Sequence, residues 1–534
     1  MTSNFASAMQ TNITTTLNGA PSLNSPDISH ESNGRISLFY KAIRGLQIPQ
    51  LYTYLQTAYH EDFIDTFILA LHIRDCRGGK GERELGRFAL AWLFLNHPQE
   101  FQKIMYLLPM YGRWDDIMYL WSCSLNFSKE CIKYTCKNYS SPIPDNTKLL
   151  YLQKLQEDLV SMMGKQLIED KINMNEGKPV TLCAKWAPTE NDKLDRKWLV
   201  VSKLCKSLGI THRNYRKEYL TPLRSYINIV ENYMCKKIWD EIDFSKVPSC
   251  AMKRLKKSFQ KNALEKYIQW KLLLSQNFVE VKAKQLYPHE LIQELRTKNY
   301  CDPITQAQWE VLEKQAEEFG VLSKALFVVD VSGSMTSWGY EKNTNHSFTP
   351  IDISIALGIL GSNTTTGVFH NHIISFHTEP TFHVLKDNDS LWDKYQQVVD
   401  IPWAGTTNIQ KVFDLILTKG QEFCLSQNDM PEKIIIVSDM QFDNTDGNNT
   451  NFKLIDKKYN QSGYKRPNII FWNVNGNSTD FPVDIRDTGT AMISGFSTSI
   501  LKTIMNKSEY SPYNIMRETI DDDRYNIIKN KLKT

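Results

Sequence analysis

Along the first three fifths of the chain, apolar positions recur with the period of a helix. His60 to Arg74 places Ile64, Phe67, Ile68 and Leu71 on one face, and Glu61 and Asp62 fall in its first turn, where the helix dipole favours acids. A glycine-rich break follows, Arg74-Asp75-Cys76-Arg77-Gly78-Gly79-Lys80-Gly81-Glu82-Arg83. The next helix restarts near Glu82 with Leu85, Phe88, Ala89, Trp92 and Leu93 on its buried stripe, Pro109 ends the one after it, and Trp114-Asp115-Asp116 opens another. From Ser37 to about Gly320 no stretch alternates with the period of two that a half-buried strand requires. This predicts an α-helical repeat domain over residues 34–320.

The pattern then changes. Leu326-Phe-Val-Val runs into Asp330, and Lys433-Ile-Ile-Ile-Val-Ser runs into Asp439; short, Val- and Ile-rich runs with turn residues at their ends read as fully buried strands. His372 to Phe376 with Phe382 to Leu385 reads as a hairpin, and Asn468 to Trp472 and Thr490 to Ile493 as later strands. Helical patterns at Ile351 to Ser362, Leu391 to Val399 and from Ile409 alternate with them, and a last helix runs from about Pro512 to Leu532. Strands alternating with helices predict a doubly wound α/β domain over 321–534, so the fold class is α plus α/β. Residues 1–33, rich in Ser, Thr and Asn without a periodic apolar face, read as a flexible tail.

Composition changes this picture little: 41% hydrophobic and 23% charged residues are ordinary for globular domains. No apolar run approaches membrane-spanning or signal-peptide type, which points to a cytoplasmic or nuclear protein without a membrane partner. Ten cysteines without a Cys-x-x-Cys pair argue for reduced thiols packed in the core; Cys131 and Cys136 are the closest pair, with no histidine at zinc-ligand spacing. Charge is shared unevenly, 19 Lys and Arg against 24 Asp and Glu from Ala325 onward but 44 against 35 before it. The helical part is the basic one, a footprint for a polyanion or simply a solvated surface.

Asp330-x-Ser332-x-Ser334 offers one carboxylate and two hydroxyls at a strand end, an incomplete oxygen shell for a divalent cation, Mg2+ first with Mn2+ and Ca2+ as alternatives. The plain reading, a strand end followed by a capping serine, stays open. Gly405-Thr406-Thr407-Asn408 and Ser438-Asp439 end further segments that a parallel sheet would bring to one crevice. This triple pattern resembles the metal-ion-dependent adhesion site of von Willebrand factor A domains. The resemblance implies that Ser332, Ser334 and Thr407 bind an ion through their hydroxyls, and Asp330 and Asp439 directly or through water. Asp330 could instead be the nucleophile of a haloacid-dehalogenase-like phosphatase, but that chemistry wants a second aspartate where Ser332 stands. His370, His372, His377 and His383 lack the orienting partner a catalytic histidine needs, and no small-molecule substrate or catalytic residue is expected.

In the basic half, Arg77, Lys80 and Arg83 belong to a glycine-rich loop with amides open for phosphate contacts, although it lacks a P-loop's spacing and context. Arg196, Lys197, Arg213, Arg216, Lys217 and Arg224 surround Trp198, Tyr215 and Tyr219, and Arg254, Lys256, Lys257 and Lys261 surround Phe259. Cations for phosphates with aromatic faces for bases suit single-stranded nucleic acid; charged outer faces of helices with aromatics in the core are the alternative. The loop motif and Tyr111-Gly-Arg113-Trp-Asp-Asp together resemble the helical-repeat region of Ro-type (TROVE) ribonucleoproteins. They are more similar still to an uncharacterised family of plants and large DNA viruses that joins such a region to an A domain; Ala184-Lys185-Trp186-Ala187-Pro188, Tyr215-Arg216-Lys217 and Val247-Pro248-Ser249 fit it too. The resemblance implies HEAT-like repeats closed into a ring and a non-enzymatic protein that binds small RNAs, with Arg77, Lys80, Arg83, Arg113, Lys185, Arg213, Arg216 and Lys217 as contacts. Long insertions around 123–180 and 276–320 depart from the Ro pattern. The other expectation is a scaffold that grips a partner's acidic side chain through the ion.

Overall fold

The computed structural model describes residues 34–125, 146–192, 195–196, 199–336, 348–401, 408–440, 442, 451–476, 489–505 and 510–533. The tail over residues 1–33 and the Cys131/Cys136 pair lie outside them. The chain forms two compact units that do not follow it in order. An α/β unit takes the described parts of Met1–Leu69, Arg77–Glu82 and Lys271–Asp522; a helical unit takes those of Ala70–Cys76, Arg83–Trp270 and Asp523–Thr534.

The α/β unit is built on β1 (Ala325–Asp330), β2 (His372–Phe376), β3 (Thr381–Val384), β4 (Lys433–Ser438), β5 (Asn468–Asn473) and β6 (Thr490–Ser494). They form one mixed sheet in the order β3-β2-β1-β4-β5-β6, parallel except for β3, which returns antiparallel to β2. All six residues of β1 and of β4 are buried, which is why these strands read as continuous apolar runs: helices cover both faces of a parallel sheet. The helix Pro350–Asn363 lies against β1 so closely that a Cβ on Gly358 would strike Val329 and one on Gly361 would strike the Phe327 ring. Register places polar residues along the carboxyl edge. Asp330 pairs with Phe376, Ser438 with Asn473, and Asn473 with Ser494.

The boundary expected near residue 320 falls elsewhere in space. Helices Pro288–Lys298 and Pro303–Glu318, expected in the helical domain, belong to the α/β unit. Arg296 reaches Asp352 at 2.8 Å, Glu313 pairs with Lys394 at 3.8 Å, and Gln306 Oε1 accepts from the Leu391 amide. Gly34–Lys41 and Ile48–Glu61 belong there too; the Gly476 amide after β5 donates to Arg44 O. An apolar stripe tells that a helix is buried on one face, but not against which partner.

In the helical unit Asp116 collects two arginines, Arg74 Nη2 at 2.8 Å and Arg87 Nε at 2.6 Å, while Asp115 takes Arg87 at 2.7 Å and Arg83 at 3.2 Å. The two family-like motifs are therefore a packed joint between the helices Glu84–Asn96 and Trp114–Leu125. Among the described residues up to 320 there is no strand, as the periodicity predicts.

Three boundaries differ from expectation. Asp62 is extended and accepts from the Asp65 amide, so the helix expected from His60 is split into Ile48–Glu61 and Phe63–Arg74. Pro109 sits in the first turn of Leu108–Tyr111, where its missing N–H costs nothing, and ends no helix. The last helix is broken into Pro512–Ile520 and Asn526–Lys533 because Arg524 and Tyr525 turn onto Asp75. No described helix is long and apolar enough to cross a membrane. The described cysteines include buried Cys183 and Cys205 but also exposed Cys235, Cys250 and Cys424, so core packing accounts for only part of them.

Candidate functional site

The α/β unit assembles its polar cluster where the strand order reverses. β1 is followed in the chain by β2 on one side and later by β4 on the other, which makes this the switch point of the sheet, the place where open α/β sheets put their ligands. Asp330 ends β1 and Asp439 directly follows β4; both are fully buried. The turn after β1 bends back so that the Ser332 amide donates to Asp330 Oδ1 at 2.9 Å. Ser332 Oγ and Ser334 Oγ then stand 3.1 Å apart. Ser438, which the sequence reading passed over, donates from Oγ to Asp330 Oδ2 at 2.5 Å and accepts from the Met440 amide. It fixes the rotamer of the carboxylate. A small hydroxyl residue at the end of a buried strand, one position before an aspartate, was the available signal.

Burial pushes the Asp330 carboxyl up to about 6, with the bonds from Ser438 and Ser332 pulling the other way. Among the described residues no side-chain cation acts on it. A divalent ion would supply that missing charge, and the hydroxyl spacing fits one: oxygens bound at about 2.1 Å in an octahedral Mg2+ shell stand roughly 3 Å apart. Asp330, Ser332, Ser334 and Asp439 thus suit a hard cation, while Thr407 lies outside the described residues. Among the described residues no group of three or more His, Cys, Asp or Glu could hold a metal, which leaves a set of mixed hydroxyls and carboxylates as the candidate.

The helical unit has a second candidate. Residues 183–190 are fastened to the segment 212–226 by Arg224, whose guanidinium donates to Ala184 O, Ala187 O and Thr189 Oγ1, and by Tyr215, whose hydroxyl donates to Pro188 O. Desolvation lowers the Arg224 pKa and raises that of Tyr215, as befits groups spent on structure. Between Tyr215 and Leu220 the backbone makes a π-helical turn, an uncommon conformation that recurs at functional sites. Tyr215 and Leu220 are buried, and Arg216 and Lys217 are exposed. With Arg213, Glu190, His212 and Thr221 they line an open concavity of about 610 Å³. On its wall His212 is held from both sides, Nδ1 3.1 Å from Glu190 Oε1 and Nε2 3.1 Å from Ser202 Oγ. Sequence reasoning missed Glu190, Ser202 and His212, since nothing in their spacing tells that residues 183–190 are pinned to the helical segment 212–226.

The remaining expected nucleic-acid contacts are scattered. Lys80 does not project from its loop: it is 1% exposed and donates from Nζ to Phe39 O and to Ser494 Oγ, the latter at 2.8 Å. Burial pulls its ammonium down to about 7, against the attraction of Glu82. A lysine among glycines reads as solvent-facing only if the loop has nothing to dock on, and here the carboxyl edge of β6 receives it. Arg77 and Arg83 are exposed, the latter paired with Asp115. Arg113 is half-buried at the start of Trp114–Leu125, its amide donating to Asp116, and Lys185 is half-buried 4.0 Å from Glu231. The expected base-stacking faces are largely withdrawn. Phe259 is in an aromatic core with Phe244 and Tyr267, Tyr215 is buried, and Lys171 covers the Tyr219 ring at 4.4 Å. Trp198 and Lys197 lie outside the described residues. Of the histidines, His370 bonds to Thr365 O, His372 to His370 O, and His383 to Thr381 and Ser375.

Comparison with known proteins finds an uncharacterised protein of Acanthamoeba polyphaga mimivirus, 30% identical over 508 residues that cover 91% of this chain and 84% of the viral one. The chain belongs to that protein's family. Two family models match within it, both described as domains of unknown function: DUF2828 over residues 147–322 and DUF7788 over 324–533. The concavity falls inside the first and the Asp330 cluster inside the second. The first match ends at residue 322 and the second begins at 324.

Proposed function

We propose that this family member is a Ro-like binding protein. Its helical part, read as TROVE-type HEAT-like repeats that could close into a ring, binds small or structured RNA. Its α/β part is read as a von Willebrand factor A domain whose metal-ion-dependent adhesion site takes a partner group through Mg2+. The observation that carries the RNA reading is the convergence of Arg213, Arg216 and Lys217 on one concavity, with none of them tied up in an ion pair among the described residues. Phosphates are held by such free, exposed cations, and each neutralised phosphate makes affinity fall with salt.

The test is fluorescence polarisation of the full chain with a labelled structured RNA across a salt series. Replacing Arg213, Arg216 and Lys217 by Gln should lower the slope of log affinity against log salt by about three, one for each lost phosphate contact. Absence of salt-dependent binding, or a slope unchanged in the triple variant, would remove RNA from this site.

The second reading, a scaffold gripping an acidic side chain, is favoured by the cluster of Asp330, Ser332 and Ser334. There Ser332, Ser334, Asp330 and Asp439 would hold the ion, which supplies a Lewis-acidic position for an incoming carboxylate. The chain's own contribution is orientation: Ser438 and the Ser332 amide lock the Asp330 carboxylate before anything binds. In this reading a partner elutes on adding chelator and is lost with Ser332→Ala. RNA binding through the concavity is indifferent to both.

A further inference from the structure

We infer that the concavity of the helical unit is a receptor for a phosphomonoester, carried either by a free mononucleotide or by the 5′ end of an RNA. It uses the same cations as the RNA reading but does not depend on RNA. The first argument is arrangement. A nucleic-acid backbone is tracked by cations spread along a groove, whereas Arg213, Arg216 and Lys217 bound a single hollow. Its volume of about 610 Å³ lies within the usual range for small-molecule sites.

The second argument is charge. Three cations against the one carboxylate of Glu190 leave a formal surplus of two on the walls. Glu218, the acid of the π-helical turn, is 3.4 Å from Lys171. A phosphomonoester carries about −1.5 to −2 at pH 7 and matches that surplus; an internal phosphodiester carries one charge and leaves half of it unanswered. The third argument is rigidity. Arg224 and Tyr215 clamp residues 183–190 to the cationic turn, so both walls are set before a ligand arrives. His212 is oriented by Glu190 and Ser202 on its two nitrogens, and the Thr221 hydroxyl offers a neutral donor to an anionic oxygen. The backbone that carries the cations is thus fixed, while the exposed Arg213, Arg216 and Lys217 side chains stay free to turn onto a terminal phosphate.

The experiment uses the full chain and three probes: AMP, and one short single-stranded RNA sequence prepared with a 5′-phosphate and with a 5′-hydroxyl. Calorimetry should detect AMP binding, and the phosphorylated RNA should bind about tenfold or more tighter than its hydroxyl twin, the ratio that charge-assisted hydrogen bonds to one dianion support. Arg216→Gln and Lys217→Gln should each erase most of that ratio; both side chains are exposed, and unchanged circular dichroism and melting verify the fold. If both RNAs bind equally and AMP does not bind, the phosphomonoester site is refuted while the RNA reading stands. If AMP binds and neither RNA does, the site stands and the RNA reading falls. If no probe binds, both fall.

Discussion

The chain's last residues hold the helical unit together through a buried ion pair, and Arg524→Ala tests how strongly. Arg524 meets Asp75 with two bonds, Nε to Oδ2 at 2.5 Å and Nη2 to Oδ1 at 2.9 Å, and its guanidinium lies 5.1 Å from the Tyr111 ring centre. Asp75 is 0% exposed; Tyr525 Oη donates to it at 3.2 Å and meets His72 Nδ1 at 3.0 Å. Removing one partner of a buried pair costs about 3 to 5 kcal/mol, mainly because the other charge is left uncompensated. Arg524 keeps a quarter of its side chain in water and Tyr525 would still serve Asp75, so the lower end applies, about 3 kcal/mol. With two units, one global unfolding free energy is ill defined, and local hydrogen exchange is the proper assay. Amides of Asn526–Lys533 and of its neighbour Pro98–Ile104 should exchange about a hundredfold faster, while those of β4 stay as they were. Asp75→Asn combined with Arg524→Met should restore much of the protection, because no buried charge is then left alone. Unchanged exchange in the single variant, or a double variant as loose as the single, would refute the reasoning.

Other consequences follow from single groups. Lys80 loses its proton at about 7 in the folded chain against 10.5 when free, so the unfolded state binds more protons between those values and stability should rise with pH there. The rise is at most about 1.4 kcal/mol per pH unit and should be absent in Lys80→Met; parallel melting curves for both proteins from neutral to alkaline pH would contradict it. Mg2+ at about a hundred times its Kd should stabilise the α/β unit by about 2.7 kcal/mol, seen as a melting shift reversed by chelator and missing in Ser332→Ala; an equal shift in that variant would exclude Ser332 as a ligand. Gly361→Ala puts a methyl group into the Phe327 ring and should cost about 1 to 3 kcal/mol, read as faster hydrogen exchange of the β1 amides; unchanged exchange there would contradict it.

Much of the fold was legible because its signals are local. Six strands, the helix periodicity before residue 320, and a cluster of hard oxygens where buried strands end are all written in runs of a few residues, since burial on both faces of a parallel sheet and on one face of a helix leave different periods. That Asp330, Ser332, Ser334 and Asp439 lie at or just beyond the ends of buried strands is legible from that alone. What tertiary structure decided is which faces meet. Lys80 and Arg224 have the composition of surface cations, yet a sheet edge and a row of loop carbonyls take them inside. Tyr215 and Phe259 sit among cations in the sequence, yet point into the core. Glu190 meets His212 where Arg224 pins residues 183–190 to the helical segment 212–226, and Asp75 waits for an arginine 449 residues further on. Local sequence fixes a residue's secondary structure through short-range sterics and period; its partner is chosen by long-range packing, where the desolvation of each charge must be answered by whatever the rest of the chain brings alongside.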